Sequence, residues 1–153
     1  MATNYNTEFS ITIEPVYGLL PPYVEVGLDG ELKAFRLTQP HTCNFAVDLD
    51  VGTHKFSVAL IGKPDSDPIQ AVKITRIAFE GISADRMLWA GVYYPKYPAR
   101  WVMEQPHPPS TTLPGANYLG WNGLWELEFT VPIFTWIHKL ENLGWIYHTN
   151  PIK

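Results

Sequence analysis

Cys43, Phe45, Val47 and Leu49 alternate with Thr42, Asn44, Asp48 and Asp50, and Trp125, Leu127, Phe129 and Val131 alternate with Leu124, Glu126, Glu128 and Thr130. A period of two sends successive side chains to opposite sides of an extended chain, so each stretch is a strand with one face for a core and one for water. The signal recurs at Phe9, Ile11 and Ile13, at Val24, Val26 and Leu28, and at His54, Phe56, Val58 and Leu60. Turn formers stand between these runs. Asp29-Gly30 predicts a two-residue hairpin, with Leu32 to Leu37 returning antiparallel. Val72 and Ile74 share one parity and Ile77 and Phe79 the other, which predicts a bulge near Thr75. Met87 to Tyr94 is apolar on both faces and reads as a strand covered on two sides. Ile133, Trp136, Ile137 and Leu140 recur at helical spacing before Gly144, predicting one short helix at about residues 133 to 143 and a last extended segment at Trp145 to Tyr147. Strand signals at intervals of about 8 to 12 residues define the class: an all-β, jelly-roll-like β-sandwich of about eight or nine strands. A chain of 153 residues fits it as a single domain over 1–153.

Between Trp89 and Trp125 the pattern gives way to 37 residues holding eight aromatic side chains, six prolines and three formal charges, Lys96, Arg100 and Glu104. A buried aromatic removes ~150 to 250 Å² from water, so a solvated loop of this composition is excluded. The segment, centred on a Pro/aromatic-rich excursion at 94–122, must lie against its own domain, a neighbouring subunit or a flat ligand such as a sugar. Trp89, Tyr93, Tyr94, Tyr97, Trp101, Tyr118 and Trp121 are therefore the candidate binding residues. They suit a protein interface, a sugar-stacking platform, or an arm packed over one sandwich edge.

Charged residues make up only 17% of the chain, with a net charge of -4. Soluble domains average roughly 25%, so the deficit points to covered surface. The basic residues are scattered, which excludes a nucleic-acid partner. No apolar run of about 18 residues offers a membrane span, and Met1 to Asn6 lacks the features of a signal peptide, so cytoplasmic synthesis is expected. Cys43, the only cysteine, reads as a buried strand thiol. His41, His54, His107, His138 and His148 lack metal-ligand spacing. Glu126 and Glu128 share one strand face, where two carboxylates normally keep a strand soluble. No catalytic residue is assigned, and the chain reads as non-enzymatic. Asp65-Ser66-Asp67 places two carboxylates around a tight turn, where calcium is conceivable through Asp65 and Asp67. Ordinary turn chemistry explains the same residues, and no cofactor is assigned.

Leu28-Asp29-Gly30, the glycine-led strand Gly52-Thr53-His54-Lys55-Phe56-Ser57-Val58, the acidic turn Asp65-Ser66-Asp67 and Ile74-Thr75-Arg76-Ile77-Ala78-Phe79-Glu80-Gly81 make residues 24 to 81 resemble the calcium-dependent, xylan-binding type of carbohydrate-binding module. That resemblance implies a β-sandwich and an acidic loop holding calcium that coordinates sugar hydroxyls. Gln70-Ala71-Val72-Lys73 stands where such modules carry a further Asp-Arg-Asn-like element. The whole chain, with Trp-Glu-Leu-Glu-Phe-Thr-Val-Pro followed by Trp136-Ile137-His138-Lys139, also looks like small virion proteins of tailed phages from aquatic bacteria. That likeness implies a capsid decoration or attachment-apparatus component, located in the virion. Two readings follow. The preferred one is a non-enzymatic structural or accessory protein of a phage particle, with other virion proteins or its own copies in a homo-oligomer as partners. The alternative is a carbohydrate-binding module recognising cell-surface polysaccharide.

Overall fold

A computed structural model describes residues 4–140 as two antiparallel sheets facing each other across an apolar core. Its strands are β1 (Asn4–Val16), β2 (Tyr23–Leu28), β3 (Glu31–Arg36), β4 (His41–Asp50), β5 (Gly52–Ile61), β6 (Ala71–Phe79), β7 (Val92–Pro95), β8 (Leu113–Pro114), β9 (Tyr118–Leu119) and β10 (Gly123–Val131). Helices α1 (Asp85–Trp89), α2 (Ala99–Met103) and α3 (Ile133–Leu140) complete the fold. One sheet has the order β4-β1-β6-β9, the other β3-β2-β5-β10-β7-β8. Eight strands of four or more residues carry the sandwich, and β8 and β9, of two residues each, fasten the excursion to it.

The alternating residues face inward as their period requires. Cys43, Phe45, Phe9, Ile11, Ile13, Phe56, Val58, Trp125, Leu127 and Phe129 are all buried. Phe9 and Phe79 from one sheet meet Phe56 and Phe129 from the other, with Phe45 against Phe56, at centroid separations of 5.1 to 5.9 Å. Each such pair adds about 0.5–1.5 kcal/mol beyond its buried area. Trp136 on α3 packs edge-on against Phe79 at 5.4 Å, so the predicted helix closes one end of the core. Gly144 and Trp145 to Tyr147 lie outside the described residues.

Asp29 and Gly30 both take positive φ, 50° and 88°, as the predicted hairpin between β2 and β3 demands. Thr12 pairs with Arg76 and Ile13 with Ile74, so Thr75 is the extra residue of the bulge expected there. Met87 to Tyr94 differs from expectation. Asp85–Trp89 is a turn of helix packed on β6 with Met87 and Leu88 buried, and only from Val92 does the chain become strand. A continuous apolar run carries no period, and burial on all sides is equally available to a short helix. No helix among the described residues is long and apolar enough to cross a membrane.

At the end of the sandwich where β4 passes into β5, the Asp29 carboxylate accepts the Lys55 backbone N–H at 2.9 Å and also meets His54 Nδ1. His54 Nε2 faces the Asp50 carbonyl at 2.7 Å. Both partners are acceptors, so only the imidazolium donates to both. Burial opposes that charge, but the Asp50 carbonyl and Asp29 carboxylate outweigh it, and His54 titrates above its ordinary value. A group whose folded pKa is raised stabilises the fold fully below its unfolded pKa, about 6.5, and loses that contribution as pH rises through the folded value. Urea unfolding is therefore expected to show stability falling as pH rises through and above that point, and His54→Gln should remove this part of the slope.

Candidate functional site

Two proline-bracketed segments far apart in sequence meet where β5 and β7 end and β10 begins in the six-stranded sheet. The first is Lys63 to Pro68, linking β5 to β6, in which the Pro64 carbonyl accepts the Asp67 N–H at 3.0 Å. Asp67 Oδ1 then accepts the N–H groups of Ile69 and Gln70 at 3.0 and 3.1 Å, which sets the exit of the turn. The second is the aromatic segment. Pro98 precedes α2 in extended conformation and so starts a short helix that carries Arg100 and Trp101. Gly120-Trp121-Asn122 leads into β10 through Gly123, whose φ is 152° and where a Cβ would lie 2.4 Å from the Tyr94 carbonyl. Glycine alone fits that approach.

A groove of about 770 Å³ lies between these walls, lined by Lys63 to Pro68, Lys96, Pro98, Arg100, Trp101, Glu104 and Gly120 to Asn122. Its aromatic surface is Trp101 and Trp121, against which Tyr97 packs to complete a three-ring cluster. Tyr97 stacks on Trp101 at 4.9 Å and 27°, Trp101 meets Trp121 at 4.9 Å, and Tyr97 meets Trp121 edge-on at 5.7 Å. All three rings are half-buried, leaving part of each surface in solvent.

Asn122 and Lys63 join the walls. The Lys63 N–H donates to Asn122 Oδ1 at 2.8 Å while Asn122 Nδ2 donates to the Lys63 carbonyl at 2.9 Å, a reciprocal pair resembling a rung of a sheet. Lys63 Nζ reaches across to the Gly120 carbonyl at 2.6 Å and lies 5.2 Å from the centroid of the Trp121 ring. Burial pulls the Lys63 pKa below the usual lysine range, with the nearby Asp67 charge opposing.

The sequence candidates therefore separate. Trp101 and Trp121 line the groove with Asp65 and Asp67, and Tyr97 supports the two indoles without lining it. Tyr93 is in the core at 1% exposure and presents no ring to a ligand, which corrects its place among the candidate binding residues. It lies on the inward face of β7, next to β10. There its hydroxyl donates to the Trp121 carbonyl and accepts the Trp121 N–H at 3.0 Å, so Tyr93 positions Trp121 from behind. Burial first, offset in part by the Trp121 bond, pushes the Tyr93 pKa up to about 12, and the donor proton is kept. Trp89, Tyr94 and Tyr118 are exposed and do not line the groove. Tyr94 borders a smaller depression with Lys55, Val92, Glu126 and Glu128, where Glu126 lies 3.9 Å from the Lys55 ammonium. The sequence marked Lys96, Arg100 and Glu104 only as the segment's three charges and did not make them or Asn122 site candidates, because isolated polar residues carry no periodic signal.

No family model matches the chain, and no curated protein matches it. Among solved structures, the selenomethionine form of vCBM60, a calcium-dependent carbohydrate-binding module from work linking two such families by circular permutation, matches at TM-score 0.51. Identity is 15%, and the match covers 79% of this chain and 89% of that one. The likeness is one of fold: the chain shares that module's β-sandwich. The calcium such a relative depends on requires about six to eight oxygen ligands. Here Asp67 Oδ1 holds two backbone N–H groups, while Asn122 Oδ1 and the Gly120 carbonyl hold Lys63. Asp65 adds one exposed carboxylate, and among the described residues no group of three or more His, Cys, Asp or Glu side chains could hold an ion. The donor set does not fit calcium.

Tyr93→Phe removes both bonds to the Trp121 backbone. It is expected to lower the unfolding free energy by about 1–2 kcal/mol in urea titration, since a partly buried N–H and C=O lose their partner. The native-state tryptophan emission should shift as well.

Proposed function

We propose that this chain is a non-catalytic carbohydrate-binding module whose groove between the acidic turn and the aromatic segment receives a polysaccharide. A sugar ring has C–H faces that lie flat on an aromatic surface and an equatorial rim of hydroxyls that need hydrogen-bond partners. The groove supplies indole surface from Trp101 and Trp121 and, around it, Asp65, Ser66, Lys96, Arg100 and Glu104. The observation that carries this reading is the stacked, half-exposed Tyr97–Trp101–Trp121 cluster, fixed from below by Tyr93 and from the side by Lys63. Preorganised flat surface of this kind lowers the ordering cost of binding. Likeness in fold to a carbohydrate-binding module supports it too.

On a glycan array, the purified chain is expected to retain one class of cell-surface or cell-wall polysaccharide. Trp121→Ala and Trp101→Ala should each weaken that binding about tenfold, the loss of about 1.4 kcal/mol expected when a stacking surface is removed. Retention of full affinity by both variants, with no glycan lost, would discard the groove as the site.

A second reading keeps the structural role in a phage particle implied by the sequence likeness. It is favoured by Trp89, Met103 and Tyr118, which are 60%, 83% and 50% exposed. Large apolar side chains left in water are covered in assemblies. The fold relationship gives no support to a phage origin. Light scattering after size exclusion should report an oligomer if these residues form contacts between copies, and a monomer that also fails to bind virions would end this reading.

A further inference from the structure

We infer that recognition at this groove is independent of calcium, because Lys63 already makes the cross-links between the two loops that an ion could otherwise supply. This rests on reading the groove as the ligand site and adds how that site is built. A divalent ion joins loops by sharing their oxygens, a carboxylate from one and carbonyls or amide oxygens from another. Oxygens of both kinds exist here, and three of them on the acidic turn and on Gly120-Trp121-Asn122 are already engaged. Gly120 O takes the Lys63 ammonium at 2.6 Å, Asn122 Oδ1 takes the Lys63 N–H at 2.8 Å, and Asp67 Oδ1 takes two N–H groups of its own turn. To recruit them, calcium would have to compete with four hydrogen bonds and sit beside the half-buried Lys63 ammonium, a like charge. Like charges at such range repel strongly in a partly desolvated site.

The lysine also does what a bare ion cannot. Its four-carbon stem runs along the groove wall and ends 5.2 Å from the Trp121 ring centre, holding that ring in place. Lys63 is thus a positioning residue for the stacking surface.

Calorimetric titration of calcium alone into the full chain and into Asp65→Asn tests this without any sugar, so a failure to find a glycan leaves the result intact. No heat in either protein at calcium up to the millimolar range is the expected result. Heat equal in both places the ion elsewhere in the chain and upholds the inference for the groove. Heat in the wild type that disappears in Asp65→Asn overturns it. For a glycan once found, chelator should leave affinity unchanged, and loss of binding in chelator that calcium restores would overturn the inference. Lys63→Met, which keeps the stem and removes the ammonium, should shift tryptophan emission and weaken glycan binding severalfold. An unchanged emission spectrum and affinity in that variant would remove Lys63 from the role.

Discussion

Five phenylalanine rings contributed by β1, β4, β5, β6 and β10 hold the two sheets together, and everything else is fastened to that contact. Because side chains alternate along each strand, committing Phe9, Phe45, Phe56, Phe79 and Phe129 to the core also commits Glu8, Asn44, Lys55, Ala78 and Glu128 to the opposite faces. β10 is central to this arrangement. It is buried along Trp125, Leu127, Phe129 and Val131, pairs with β5 on one side and accepts β7 on the other. Through β7 the aromatic segment gains a rigid base, and through Gly123 the loop that carries Trp121 starts directly from the strand.

The aromatic segment is thus neither a free arm nor a core element. Its central part pairs with its own sandwich through β7, β8 and β9, with Asn117 bonded to Ile74 on β6 in both directions at 2.8 and 2.9 Å. One ring, Tyr93, is spent on the core so that others can stay half outside it. Fully enclosed rings would be packing, and loose rings would collapse onto the nearest apolar surface. A cluster stacked ring on ring and tied through backbone hydrogen bonds keeps flat surface available to a ligand.

The groove is held by hydrogen bonds that are remote in sequence but adjacent in space. Asn122 and Lys63, 59 positions apart, form the reciprocal pair that sets the groove's width. An amide and an ammonium make this connection using groups that the chain itself carries.

Periodicity alone was enough to place the long strands, the Asp29-Gly30 hairpin, the bulge at Thr75 and the helix that begins at Ile133, because each is a local consequence of which face is buried or which φ a residue tolerates. It failed at Met87 to Trp89, where an unbroken apolar run fits helix and strand equally, and it could not divide seven aromatic residues among core, groove and outer surface. That division depends on pairing: Tyr93 points inward because β7 aligns it with Trp125, and Tyr94 outward because it is the next residue. The acidic turn and the aromatic rings were each visible in the sequence as separate features. Their meeting in one groove, and the use of the aromatic segment's oxygens by Lys63, were decided only by the tertiary fold, since hydrogen bonds across 57 and 59 residues leave no trace in local spacing.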